Sequence, residues 1–153
     1  MIVVNGIVVW RVSWEYLISK DIVKRRGKIK HIITIDFETF YDVGYGLKKY
    51  TTEHYIRDGQ FQVIGFAIKV DDCSTKWYSG THEELKEVLD KYKIHECGLV
   101  AHNMQFDGTI LAWVFNIIPE VYIDTLSMAR AFHGISAGGS LSALAERYNL
   151  GKK

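Results

Sequence analysis

His31-Ile32-Ile33-Thr34-Ile35-Asp36-Phe37-Glu38 passes from an apolar run straight into two carboxylates. Residues 32–37 have the composition of a buried strand that delivers its polar groups at the C-terminal end. Side chains two apart in a strand share a face, so Asp36 and Glu38 project together. Two crowded carboxylates repel, and both stay anionic only if a cation shares them. Hard divalent ions such as Mg2+ take oxygen ligands of this kind. The spacing alone is a weak signal, because at ordinary abundances of Asp and Glu it arises by chance in about one of every two chains of this size. Its position adds weight, since the pair ends the most hydrophobic strand of the main domain. Taken in isolation, it reads equally well as surface or structural acids.

Upstream, residues 1–30 look like a segment apart from residues 31–153. Asn5-Gly6 between Ile2-Val3-Val4 and Ile7-Val8-Val9 signals a type I′ hairpin. Residues 10–22 mix aromatic and aliphatic side chains without a clean period. Lys24, Arg25, Arg26, Lys28 and Lys30 then surround Gly27. That run reads either as a solvated connector or as an arm that contacts phosphates, since clustered basic side chains supply salt-dependent affinity for a nucleic-acid backbone.

Downstream, residues 41–60 form a long polar stretch rich in aromatics, to which the pattern assigns no element. Residues 61–70 and 75–78 read as strands, with Asp71-Asp72 near the turn between them. Residues 81–92 are an amphipathic helix opening on Thr81-x-x-Glu84, a capping box, with Leu85, Val88 and Leu89 as its apolar face. Residues 98–101 are a short buried strand, and residues 107–115 a helix stopped before Pro119. Residues 122 and 123 form a last strand, followed by a helix over 125–132. Gly138-Gly139 breaks the chain, and Ser140 caps a final helix whose apolar face is Leu141, Leu144, Ala145 and Tyr148. Strands interleaved with helices in this order predict an α/β sheet covered by helices.

Composition narrows the class. The chain's 153 residues suffice for one domain with a sizeable core. A 48% hydrophobic and 24% charged content, with one proline and no low-complexity run, is that of a globular chain. Cys73 and Cys97 stand far apart and read as buried or incidental thiols rather than a zinc site or a disulfide. No apolar run reaches bilayer-spanning length, and the N-terminal one, broken by Asn5-Gly6, lacks a signal-peptide cleavage pattern. No membrane partner is expected, and the expected setting is the cytoplasm. The formal charge of +1 gives no sign of nucleic-acid binding, so any such surface is a local patch.

His102-Asn103-x-x-Phe106-Asp107 is a second constellation, following a strand and opening a helix. A carboxylate in the first helical turn suits the helix dipole, so Asp107 reads also as a helix acid, Asn103 as a turn residue and Phe106 as core. Asp124, just before a helix, reads likewise as an N-cap.

As an ordered set, Asp36-x-Glu38, then Asn103-x-x-Phe106-Asp107, then Asp124-Thr125-Leu126 and the stretch from Ser140 to Leu150 resemble the DnaQ-like (DEDD) 3′→5′ exonuclease superfamily. Thr51-Thr52-Glu53-His54-Tyr55-Ile56-Arg57-Asp58, followed by Gln62-Val63-Ile64-Gly65, is similar more narrowly to the exonuclease region of phage-type family A DNA polymerases. The resemblance runs from about His31 to the C-terminus. It implies an α/β fold, a ribonuclease-H-like mixed sheet flanked by helices, with an N-terminal hairpin extension in this chain. It implies a site for two divalent ions, Mg2+ or Mn2+, on Asp36, Glu38 and Asp107. Asp36 would bridge both ions, Glu38 would hold the ion on the side of the attacking water, and Asp107 would hold the second. Phe40, Tyr41, Asn103 and Phe106 are the implied positioners of the terminal nucleotides, with Asp124 in support. The implied substrate is the 3′ end of single-stranded DNA, in a bacterial or phage-infected cell.

One departure qualifies the resemblance. The family's third motif, a Tyr or His followed four or five residues on by Asp, has no counterpart, for no Asp follows Asp124. His133 is the nearest substitute, but it precedes the Gly138-Gly139 break, where the family has no catalytic residue. The domain is therefore expected to be C-terminally incomplete and weak or silent alone, completed by the rest of a polymerase chain or by a second copy. The rival readings are a non-catalytic module of the same fold that binds single-stranded DNA or a polymerase, and the product of a decayed gene.

Overall fold

Ile33, Ile35 and Phe37 alternate along the strand Ile32–Thr39 and are all buried, the first two only 1% exposed. A strand so apolar on one face is stable only when that face meets other elements. In the computed structural model, which describes residues 2–4, 7–9, 29–134, 136 and 138–149, this strand is the centre of a five-stranded sheet. In chain order the strands are β1 (Ile2–Val4), β2 (Ile7–Val9), β3 (Ile32–Thr39), β4 (Val63–Val70), β5 (Lys76–Ser79), β6 (Gly98–Ala101) and β7 (Val121–Asp124). The large sheet has the order β5-β4-β3-β6-β7, with β4 antiparallel to β3 and β5, and with β6 and β7 parallel to β3. This is the mixed α/β sheet expected of the ribonuclease-H-like class, and the acid-bearing strand is its middle one.

β1 and β2 pair antiparallel with Ile2 opposite Val9, in the register that a two-residue Asn5-Gly6 turn requires. The turn itself and all of the basic run but Lys30 lie outside the described residues. Lys30, the last member of that run, pairs with Glu96 at 2.5 Å.

Among the described residues five α-helices accompany the sheet: α1 (Thr52–Arg57), α2 (His82–Lys91), α3 (Met104–Trp113), α4 (Thr125–His133) and α5 (Leu141–Arg147). The Thr81/Glu84 capping box forms in full, each side chain accepting from the other residue's backbone N–H. Leu85 and Leu89 of α2, and Ile110 and Leu111 of α3, join Ile33, Ile35, Phe37, Phe66 and Ile68 in one core. Both crossover helices therefore cover the same sheet face. Phe37 stacks on Phe115 at 5.9 Å and Phe115 on His82 at 5.0 Å, which closes the core between them. Cys97 is buried and Cys73 exposed, and both are free thiols. Among the described residues no helix is long and apolar enough to cross a membrane.

The stretch 41–60 departs from its polar appearance. It carries α1, capped by Thr51, and two of the most buried aromatics in the chain, Tyr45 and Tyr55. Their hydroxyls are satisfied internally: Tyr45 donates to the Tyr55 carbonyl at 2.5 Å and Tyr55 to the Phe40 carbonyl at 2.6 Å. Tyrosine is an apolar body with one polar tip, and in this stretch each tip finds a backbone acceptor.

If the core is built this way, Leu89→Ala should lower the unfolding free energy by about 2–5 kcal/mol. Lys91→Ala on the same helix should change it by less than about 0.5 kcal/mol. Urea unfolding monitored by circular dichroism measures both.

Candidate active site

β3 changes character at its C-terminal end. Asp36 is half-buried and Glu38 exposed on one face, while Phe37 between them enters the core. The cross-strand partners on that face are small, Ala67 opposite Asp36 and Gly65 opposite Glu38, and they leave the carboxylates uncovered. Lys69, opposite Thr34, belongs to the same face and is 5% exposed. Nothing in the apolar run of β4 marks this lysine as a neighbour of the acids.

On its other side β3 is paired with β6 only from Ile32 to Thr34. The next backbone donor along, Phe37 N–H, is taken by Asp107 Oδ1 at 3.0 Å. Asp107 thus sits where β6 would have continued, delivered there by the first turn of α3. It is 2% exposed. Burial pushes its carboxyl up to about 8, the Phe37 N–H opposes this, and the negative charge of Asp36 and then of Asp124 adds to it. Asp36 and Asp107 are therefore close enough to repel. At neutral pH without a cation, Asp107 holds its proton.

Asp124 has the opposite fate. Its Oδ1 accepts from Leu126 N–H at 3.0 Å, which caps α4, and also from Asn103 N–H at 3.0 Å and Met104 N–H at 3.3 Å, which open α3. Oδ2 accepts the Ser127 hydroxyl at 2.6 Å. Burial alone would raise its pKa, but the Ser127 hydroxyl and three backbone N–H groups outweigh that and hold it below the usual range. Asn103 lies in the left-handed region at φ 72° and makes no side-chain cap of its own. The N-terminus of α3, and Asp107 with it, thus depends on a carboxylate from β7. Beside it, His102 Nδ1 lies 3.0 Å from Thr125 Oγ1, and burial lowers the pKa of its ring. His102 stitches β6 to α4, a role absent from the sequence pattern.

The other expected site residues divide. Tyr41 is exposed, and Phe40, at the margin of exposure, stacks on Tyr45 at 6.3 Å. Phe106 is half-buried and stacks on Tyr55 at 6.2 Å, as its core reading has it, while Asn103 is exposed. His133 is engaged by the Tyr148 hydroxyl at 2.6 Å. Among the described residues, no three of His, Cys, Asp and Glu lie close enough together to hold a metal ion. Asp107 feels the charge of Asp36 and, after it, of Asp124, and Glu38 does not complete a three-acid cluster with Asp36 and Asp107.

A family model described as 3′-5′ exonuclease matches residues 19–153, starting ahead of His31. No individual curated protein matches the chain. Among solved structures, Brucella melitensis NrnC with bound Mg2+ superposes with a TM-score of 0.55 at 15% identity, over 80% of this chain and 55% of that one. A chain of the yeast NOT1 MIF4G domain co-crystallized with CAF1 gives 0.58 at 9% identity, over 88% and 77%. Escherichia coli RNase D, described as an exoribonuclease involved in structured RNA processing, gives 0.51 at 17%, over 91% and 32%. The chain spans about half the length of the NrnC chain. At these identities the likeness is one of fold.

Two outcomes follow from Asp107 and Asp124. Asp107 has a folded pKa raised above its unfolded value, so the folded state binds the extra proton between about pH 4 and pH 8. Metal-free stability should therefore fall as pH rises through that window, by at most about 1.4 kcal/mol per pH unit. Asp107→Asn, which keeps the acceptor for Phe37, should remove that slope in urea titrations run across the window. Asp124→Ala should cost about 1–3 kcal/mol through the lost caps, and Asp124→Asn distinctly less, in the same assay at pH 7.

Proposed function

The chain belongs to the 3′-5′ exonuclease family, and from that premise we propose that it trims single-stranded DNA from the 3′ end as the proofreading part of a phage-type DNA polymerase. The Asp36–Asp107 pair carries this reading. A buried acid that repels its neighbour is unfavourable as an anion by itself, and a divalent cation shared by the two relieves both burial and repulsion. Mg2+ commonly binds one or two carboxylates and completes its shell with water and substrate phosphate oxygens, which suits a site built from two acids. Mn2+ accepts the same donors. When bound, such an ion lowers the pKa of an attacking water and stabilises the leaving 3′ oxygen. In the two-ion form of the reading, Asp36 and Glu38 would hold the cation on the side of the attacking water, and Asp36 and Asp107 the second.

The remaining roles belong to the chain itself. Glu38, exposed on the face it shares with Asp36, takes the terminal 3′ hydroxyl. Phe40 and Tyr41, just beyond the strand, stack on terminal bases, an interaction indifferent to sequence. Asn103 and Phe106 flank Asp107, and Asp124 holds the turn that carries all three. A polypeptide of these 153 residues has no Asp after Asp124 to serve as a fourth ligand, and no third motif to activate water. General-base assistance alone contributes about 10²–10⁴-fold, so such a polypeptide cleaves slowly until polymerase sequence or a second copy supplies the missing groups. We place its action in the cytoplasm.

One observation favours a second reading, a module that binds single strands without cutting them: among the described residues the acids do not gather into a three-member cluster. 5′-labelled single-stranded DNA and RNA incubated with Mg2+ or Mn2+ separate the two. Slow 3′ trimming of DNA is expected, reduced at least about a hundredfold by Asp36→Ala or Asp107→Ala and unchanged by His133→Ala. Binding without trimming under every metal condition would establish the binding module. Preferential trimming of RNA would reassign the substrate. Robust cleavage lost on His133→Ala would make His133 part of the catalytic machinery and overturn the assignment of catalysis to the acids alone.

A further inference from the structure

Trp77 is 48% exposed and stands outside the core. It lies on β5 in a cross-strand row with Ala67 and Asp36, beside the row Ser79, Gly65 and Glu38. Cross-strand partners project to the same face, so the indole and both carboxylates rise from one side of the sheet, opposite the filled core. Adjacent strands lie about 4.8 Å apart, which puts Trp77 roughly 10 Å from Asp36 along its row.

The indole also leans towards the acids. A Cβ placed on Gly65 would come within 2.7 Å of Trp77 Cζ2 and 3.1 Å of Cη2, and would collide with the Tyr78 carbonyl oxygen. The six-membered ring therefore lies over Gly65, the cross-strand partner of Glu38, and only a residue without a side chain leaves room for it. The ring thus abuts glycine backbone on the side of the acids, and about half of the residue, 48%, stays open to solvent. Trp113, equally exposed at 49%, differs in this respect, because the Arg57 guanidinium stands 4.4 Å from its ring centroid. Leaving half of an indole in water forgoes burial that would stabilise the fold. A flat open ring one strand from an exposed carboxylate has the geometry of a stacking surface.

We propose that Trp77 is the platform for a nucleobase within the last two nucleotides of a single-stranded substrate, with Gly65 as the notch that seats the ring. The inference rests on the exonuclease reading of the Asp36–Asp107 site, and adds a base position on the β4–β5 side, separate from Phe40 and Tyr41. Every base offers a π face, so the platform grips without reading sequence. It holds the strand end so that the terminal phosphodiester lies towards the acids.

The test is fluorescence anisotropy of a 5′-fluorescein oligothymidylate on the full chain, with Ca2+ replacing Mg2+ so that the strand stays whole. Trp77→Ala should weaken binding by about five- to a hundredfold, Trp77→Phe should recover most of it, and Trp113→Ala should leave it unchanged. An oligonucleotide abasic at its last two positions should bind wild type at least as weakly as the intact strand binds Trp77→Ala, and should lose nothing further on the variant. A lost fold would not produce that non-additivity. Intact and abasic ends bound equally by wild type would overturn the platform and leave the exonuclease reading standing, even if Trp77→Ala failed to fold. A wild-type chain that bound no oligonucleotide would overturn both.

Discussion

A single hydrogen bond joins the two halves of the site: the Phe37 N–H of β3 to the Asp107 carboxyl of α3. Its existence depends on a strand that is too short. β6 stops pairing at the level of Thr34, so the edge of β3 beyond that point presents backbone donors that must be satisfied. A hydrophobic side chain in that gap would leave a buried N–H unpaired. An acid there satisfies it and at the same time brings a second carboxyl beside Asp36. One residue both satisfies the backbone group and sets two carboxyls side by side.

The acids of this region then part company through their surroundings. Asp107 has one N–H partner from β3 and deep burial, and favours the proton. Asp124 has three backbone donors and a hydroxyl, and favours the charge. Two carboxyls near each other with divergent affinities for protons divide the work without any change of residue type. The charged one holds two helix termini in place, and the buried one satisfies the Phe37 N–H.

Much of this was legible in the order of residues because it is local. The apolar run into Asp36 and Glu38, the Thr81/Glu84 capping box and the Ser140 cap all declare themselves within a few positions, and each appears in the structure. What escaped was non-local or disguised. The helix within residues 41–60 was hidden because tyrosines count as polar in a pattern, although Tyr45 and Tyr55 direct their hydroxyls to backbone carbonyls and bury the rest. Asp124 reads as the cap of its own helix, and only the parallel pairing of β6 with β7, Ala101 opposite Asp124, brings it to a second one. The bond to Phe37 and the row of Asp36, Ala67 and Trp77 are facts of register between strands, which periodicity along one strand does not contain.

The mixed topology also orders events in time. β3, β4 and β5 are consecutive and antiparallel; residues 71–75 separate β4 from β5 and residues 40–62, with α1 among them, separate β3 from β4, so both pairings close shorter loops than the contact between β3 and α3. Phe37 and Asp107 are 70 residues apart, and their contact requires β6 to dock in parallel on a strand already half satisfied. Long-range parallel pairing is the slow part of such a sheet. With pairing in that order, Asp36 and Glu38 would stand on paired strands before their partner arrives, and the nascent domain would pass through a stage with only half of the acid site in place.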